Sequence, residues 1–259
     1  MIRRESFDVS GPAAIEVHNP SGLVEVHVGL DARVVVTIDG AAADEWEVVQ
    51  VGDSVSIRHN RERGWRSRSN RVHVEAPAGS DLDISTASAN VVTVGEFGAA
   101  RLRTASGNVR VDSLQRLDAN TASGNVNARS VAADVVCNAV SGNVELGRVG
   151  GRLHSSTASG DVRAHHVGGD IAVGTASGDV AIDCCTGSDI SAKCVSGAVT
   201  IGLPTGIRVE PDISTMTGRT TLPEPSSAAP SDEPRRSVRL KLRTVSGDLT
   251  IDRVEHGAS

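Results

Sequence analysis

The sequence predicts an all-β chain wound as a single-stranded β-solenoid of about 18 residues per coil. Three observations predict it. First, a short motif recurs: TASAN (86–90), TASGN (104–108), TASGN (121–125), AVSGN (139–143), TASGD (157–161), TASGD (175–179), CVSGA (194–198), TMTGR (215–219) and TVSGD (244–248). The third residues of these copies are spaced by 18, 17, 18, 18, 18, 19, 21 and 29 residues. Second, apolar residues alternate on both sides of each copy. Leu82/Ile84, Leu117/Ala119, Ile171/Val173 and Leu240/Leu242 precede it, and Val109/Val111, Val144/Leu146, Val180/Ile182 and Leu249/Ile251 follow it. Period two is the mark of a half-buried strand. Third, aromatic residues make up only 2% of the chain and Tyr is absent. A core without aromatic bulk is packed from Val, Leu, Ile and Ala, which suits a narrow, regular interior.

The elements follow in order within one domain, 1–259. Residues 1–80 are looser, with strands expected at Ala14–His18, Leu23–Val28, Arg33–Ile38, Glu45–Val51, Ser54–His59 and Arg71–Glu75. They read as irregular first coils with a β-hairpin elaboration that caps one end, because an exposed terminal coil presents unpaired backbone. Residues 81–221 are the regular coils. Each has a strand, a tight Ser-Gly turn, a second strand, and a corner marked by Leu114, Val131, Val149, Val167 and Cys185. The stretch 222–237, LPEPSSAAPSDEPRRS, is a Pro/Ser-rich loop insertion that accounts for the widest gap. The chain then returns for a last coil over 238–252 and ends in a tail, 253–259. No unit can bury its apolar face alone, so stacked units make the core. A left-handed hexapeptide helix has a compatible period but fails in register: steps of six from Val144 land on Gly150 and Ser156.

Charge and length narrow the function classes. The net charge of −6 does not favour nucleic acid or an anionic membrane as the partner of the whole surface. The N-terminal Met1-Ile2-Arg3-Arg4 has no apolar run behind it, and no stretch reaches the roughly 20 apolar residues of a membrane span. The expectation is a cytoplasmic protein whose Cys137, Cys184, Cys185 and Cys194 are free thiols.

Several residues invite a chemical reading. A nucleophile needs one positioned base, which nine equivalent Ser/Thr positions cannot share, so these read as a hydrogen-bonded ladder. Asn108, Asn125, Asn143, Asp161 and Asp179 put one oxygen-bearing side chain in each turn. That suits turn capping better than calcium, which gathers several oxygens per ion. His165 and His166 are adjacent on a strand and so face opposite ways. Residues 81–259 hold Phe97 as their only aromatic, and paired carboxylates are missing outside positions set by the repeat, which argues against a carbohydrate-active enzyme. No cofactor or metal is expected. The most distinctive stretch is 58–71, which carries Arg58, Arg61, Arg63, Trp65, Arg66, Arg68 and Arg71. Guanidinium groups and an indole suit an acidic protein surface, and the same chemistry suits nucleic acid or anionic lipid.

The repeats T-[AV]-S-G-[ND]-V, the connector 72–80 (VHVEAPAGS), and the segment 201–206 (IGLPTG) leading to Ile213-Ser214-Thr215 resemble a bacterial β-strand-repeat family of unknown function. It is labelled "putative adhesin" and also called toastrack. The likeness runs from about residue 15 to 252. It implies a right-handed solenoid, no established activity, and for some relatives a link to envelope stress, and the Gly- and Ala-rich, Tyr-free composition looks like that of a high-GC actinobacterial member. The expected function is a non-enzymatic scaffold that binds a protein partner. Self-association end to end, like a bactofilin filament, is the alternative.

Overall fold

The computed structural model describes residues 1–40, 43–59, 70–222 and 237–254, nearly all as β-strand. Residues 60–69, which carry Arg61, Arg63, Trp65, Arg66 and Arg68, and residues 223–236 of the insertion lie outside the described residues. The chain divides into two compact units, Met1–Ala132 and Ala133–Ser259. Among the described residues no helix is long and apolar enough to cross a membrane.

The first unit contains β1 (Ile2–Asp8), β2 (Ala14–Asn19), β3 (Gly22–Val28), β4 (Arg33–Asp39), β5 (Trp46–Val51), β6 (Ser54–His59), β7 (Asn70–Ala76), β8 (Asp81–Thr86), β9 (Asn90–Thr104), β10 (Val109–Thr121) and β11 (Val126–Val131). Period-two alternation drives these strands: Val24 and Val26, Val72 and Val74, and Val109 and Val111 are buried, and their neighbours are not. Parallel pairing stacks Val109 between Val91 and Val126, and Leu114 between Phe97 and Val131. Phe97, fully buried, occupies the third apolar corner of its coil. Each fully buried Val or Leu in such a row contributes about 1.5–3 kcal/mol relative to an exposed one.

All six strands expected in 1–80 are present, and β1 is an addition. Its sequence, IRRESFD, hides the strand because the side turned inward carries Arg3, Glu5 and Phe7. The Arg3 guanidinium pairs with Glu5 and donates to the Trp46 carbonyl, so the polar side is satisfied where it meets the end of the unit. β1 and β7 both pair with β4 antiparallel, and β5–β6 is an antiparallel hairpin.

The second unit contains β12 (Val135–Ser141), β13 (Val144–Val149), β14 (Leu153–Ser159), β15 (Val162–Val167), β16 (Ile171–Ser177), β17 (Val180–Cys185), β18 (Asp189–Ser196), β19 (Val199–Pro204), β20 (Arg208–Thr217), β21 (Thr220–Thr221), β22 (Ser237–Ser246) and β23 (Leu249–Val254). Every pairing within it is parallel, and equivalent residues of successive repeats lie opposite one another. Val144 faces Val162, Val162 faces Val180, Val180 faces Val199, and Val199 faces Leu249. This is a solenoid-like parallel sheet.

The order of strands at the ends departs from the chain order. β22, expected as the last coil, lies between β18 and β20, and β23 likewise pairs with both β19 and β21. In the first unit β2 lies between β6 and β8, and β3 between β7 and β9. At the C-terminal end the last two strands are thus set one layer in, whereas at the N-terminal end β2 and β3 lie deeper and β1 stays outside on β4. A strand so placed gains backbone partners on both sides.

Candidate interaction surface

The polar repeat positions perform backbone work first. Asn108 donates its backbone N–H to Asn90 Oδ1 at 2.9 Å, and Asn125 donates to Asn108 Oδ1 at 3.1 Å. Asp161 and Asp179 continue the pattern in the second unit, donating to Asn143 and Asp161 at 3.0 and 2.9 Å. These side chains bond backbone as expected, but each reaches the corresponding turn of the next coil rather than capping its own.

The Thr ladder is only half as expected. Thr104 and Thr121 accept the N–H of Gly107 and Gly124 at 2.8 Å each, closing their turns. In the second unit, Thr157 buries its hydroxyl with no protein partner. The physical reason is the turn. There Gly160 adopts a positive φ of 149°, and its N–H goes to the Ser177 carbonyl of the next coil rather than to the Thr157 hydroxyl.

Other candidates are placed as follows. Cys137, Cys185 and Cys194 are buried and Cys184 is half-buried. Burial pushes the Cys184 and Cys194 thiols up from their ordinary value, which opposes nucleophilic use. His165 Nδ1 lies 2.6 Å from Asp183 Oδ2 on the surface. Among the described residues no three His, Cys, Asp or Glu side chains are arranged to hold a metal ion.

Of the arginines in this stretch, only Arg58 and Arg71 are among the described residues. Arg58 Nη2 is engaged by both carboxylate oxygens of Glu16 at 2.8 and 2.7 Å. That pairing, with His18 and Ser56 adding bonds, holds the Glu16 carboxyl down at about 2. Arg71 lies 3.9 Å from Glu25. Both therefore make intramolecular ion pairs, while the middle of the stretch lies outside the described residues.

A groove of about 510 Å³ crosses the outer face of β12, β14, β16 and β18 in the second unit. The parallel register builds it. Val136, His154, Ala172 and Ser191 stand opposite one another as an outward row. The residues that open these strands line one side. Asp134 accepts the Arg152 N–H at 2.9 Å, and Asp170 accepts the N–H groups of Ser188 and Asp189 at 3.0 Å each. Those backbone bonds, Asp189 first, lower the Asp170 carboxyl below its ordinary value. The second Asp134 oxygen reaches Arg152 at 3.4 Å, and Asp189 pairs with Arg239 at 3.0 Å. The Arg152 side chain remains 72% exposed. The groove thus has a small apolar floor beside a mainly acidic row, Asp134, Asp170 and Asp189, interrupted by Arg152. Sequence reading passed over Asp134, Arg152 and Asp189. The signal that could have found them was their common place one or two residues ahead of an apolar strand pair, repeat after repeat.

The family model described as Toastrack DUF4097 matches residues 13–252, almost the whole chain. The chain belongs to this family. The toastrack chain is also similar to solved structures of low identity. A "putative adhesin" from Bacteroides fragilis is 15% identical, with 98% of this chain and 97% of that one covered and a TM-score of 0.49. A "putative lipid binding protein" from Parabacteroides distasonis is 13% identical, covering 98% and 96% with a TM-score of 0.45. A "putative adhesin" from the same species is 12% identical, covering 98% and 97% at 0.40. No curated protein matches the toastrack chain.

Proposed function

We propose that this toastrack chain is a non-enzymatic β-solenoid scaffold whose second unit binds a protein partner along the groove over β12, β14, β16 and β18. The observation that carries this reading is the groove itself. Four parallel strands hold Val136 and Ala172 beside Asp134, Arg152, Asp170 and Asp189, three carboxylates interrupted by one exposed guanidinium. An extended segment with apolar and charged side chains in alternation matches such a surface, and the rigid ladder beneath costs little to preorganise. The backbone duties of the recurring Asn and Asp side chains support a scaffold role over catalysis. So does the ion pairing of His165. In the same reading the coils turn right-handedly with about 18 residues each, the spacing at which Val144 meets Val162, and the protein works in the cytoplasm.

The test is affinity capture from native lysate with three baits. These are the natural chain, an Arg152→Glu/Ala172→Lys variant, and an Arg61→Glu/Arg63→Glu/Arg66→Glu variant, each checked for unchanged circular dichroism. A partner held by the natural chain and the loop variant but lost with the groove variant is the expected result. If the groove variant captures the same partner as the natural chain, the groove reading is lost. A partner lost only with the loop variant moves the surface to the 58–71 stretch.

A further inference from the structure

β1 is an outer strand of the first unit, pairing only with β4 among the described residues. The direction of its backbone groups can be read from its flanks. The Met1 carbonyl accepts the Gly40 N–H at 3.2 Å, and the Val9 N–H donates to the Ala32 carbonyl at 3.2 Å. Odd-numbered residues therefore bond toward β4, and Ile2, Arg4, Ser6 and Asp8 direct N–H and C=O to the open side. The Asp8 carbonyl agrees with this direction, since it accepts Gln50 Nε2 at 2.8 Å rather than a β4 donor. An open row of this kind is a template for another strand.

We propose that a second copy of this chain occupies that edge, β1 pairing antiparallel with the partner's β1 about a two-fold axis through Ser6. The charges select this arrangement. With Ser6 opposite the partner's Ser6, Arg4 falls opposite the partner's Asp8, and Asp8 opposite the partner's Arg4. The strand is thus complementary to itself, as a two-fold interface requires. The Asp8 side chain is 90% exposed, with one ion pair, 3.4 Å from Arg33. Arg4 makes no ion pair within 4 Å among the described residues. Side chains keep their faces in this register, because even residues meet even residues. The six N–H and C=O groups of Arg4, Ser6 and Asp8 meet their counterparts, and the Asp8 carbonyl has a second lone pair beside Gln50. The other outer strands lack these properties. β20 carries Pro211 between Glu210 and Asp212, devices that protect an edge. A two-fold centred on Val49 of β5 would set Glu47 against Val51. The dimer closes on itself, unlike end-to-end growth, and stands apart from the groove reading because it uses the first unit.

Light scattering after size exclusion, over a dilution series of the full chain, tests this. The natural chain should run at twice its monomer mass and dissociate on dilution. Arg4→Asp and Asp8→Arg each set like charges opposite one another twice, and each should weaken the dimer at least about tenfold. Arg4→Asp/Asp8→Arg restores opposite charges and should recover the dimer, which a merely structural defect would not do. Circular dichroism and thermal midpoint report the fold of each variant. A monomer at every concentration, a dimer indifferent to both single changes, a double variant that fails to recover, or growth beyond a dimer would each overturn the proposal.

Discussion

Gly178 shows how closely the repeat binds a single position. Its φ is 140°, and a Cβ built there would lie 2.3 Å from the Gly160 carbonyl oxygen of the neighbouring turn. Backbone cannot retreat from backbone when both are held in ladders. Gly178→Ala should therefore cost about 1–3 kcal/mol in denaturant unfolding. Gly174, four residues earlier on β16, is the control: a Cβ added there would meet nothing within 4 Å, and its φ is ordinary. Gly174→Ala should be neutral, or stabilising by up to about 1 kcal/mol through the entropy of the unfolded chain. The motif TASGD makes Gly178 legible as a turn glycine. Which glycines touch a neighbouring carbonyl is a distance that sequence does not contain.

At the scale of elements, two turns with almost the same sequence close differently. The β9–β10 turn uses the Thr104 hydroxyl to receive the Gly107 N–H, whereas the β14–β15 turn leaves the Thr157 hydroxyl buried without a protein partner. Valine keeps the shape of threonine and removes the hydroxyl. Thr104→Val should cost about 1–3 kcal/mol by orphaning a buried donor. Thr157→Val should be neutral or stabilising by about 1 kcal/mol, since it relieves a buried unpaired group. Equal losses in urea unfolding would refute the difference between the turns. TASGN and TASGD look alike as strings because the motif records inward and outward positions, not hydrogen-bond partners. The strands themselves were legible for the opposite reason: alternation is local, and Val109, Val144 and Val180 repeat one environment. β1 escaped because its inward side carries Arg3 and Glu5, which pair with each other while Arg3 also reaches the distant Trp46 carbonyl.

At the scale of the whole molecule, the placement of chain ends is the main departure from sequence order. β22 and β23 lie one layer inside the edge of the second unit's ladders, with β20 and β21 outside them. Removing residues 237–259 should therefore not shorten the unit by one layer. It takes from β20 and β21 their only described pairing and bares the edges of β18 and β19. The expected outcome is loss of protease resistance across 189–222 and a lower thermal midpoint. A truncated chain with resistance unchanged up to residue 222 would refute the interleaved order.

The sequence by itself determined the β class, the period, the inward rows Val144–Val162–Val180 and Ile171–Ile190–Leu240, and the aliphatic character of the core. Alternation and repetition need no partner to be read. The tertiary structure alone decided which layer lies outermost, which turn hydroxyls find a donor, and where Asp134, Arg152, Asp170 and Asp189 converge. Backbone hydrogen bonds between parallel strands are the same for every residue type. Neighbours are therefore chosen by how the chain closes its loops and covers its ends, a choice made between residues far apart in sequence.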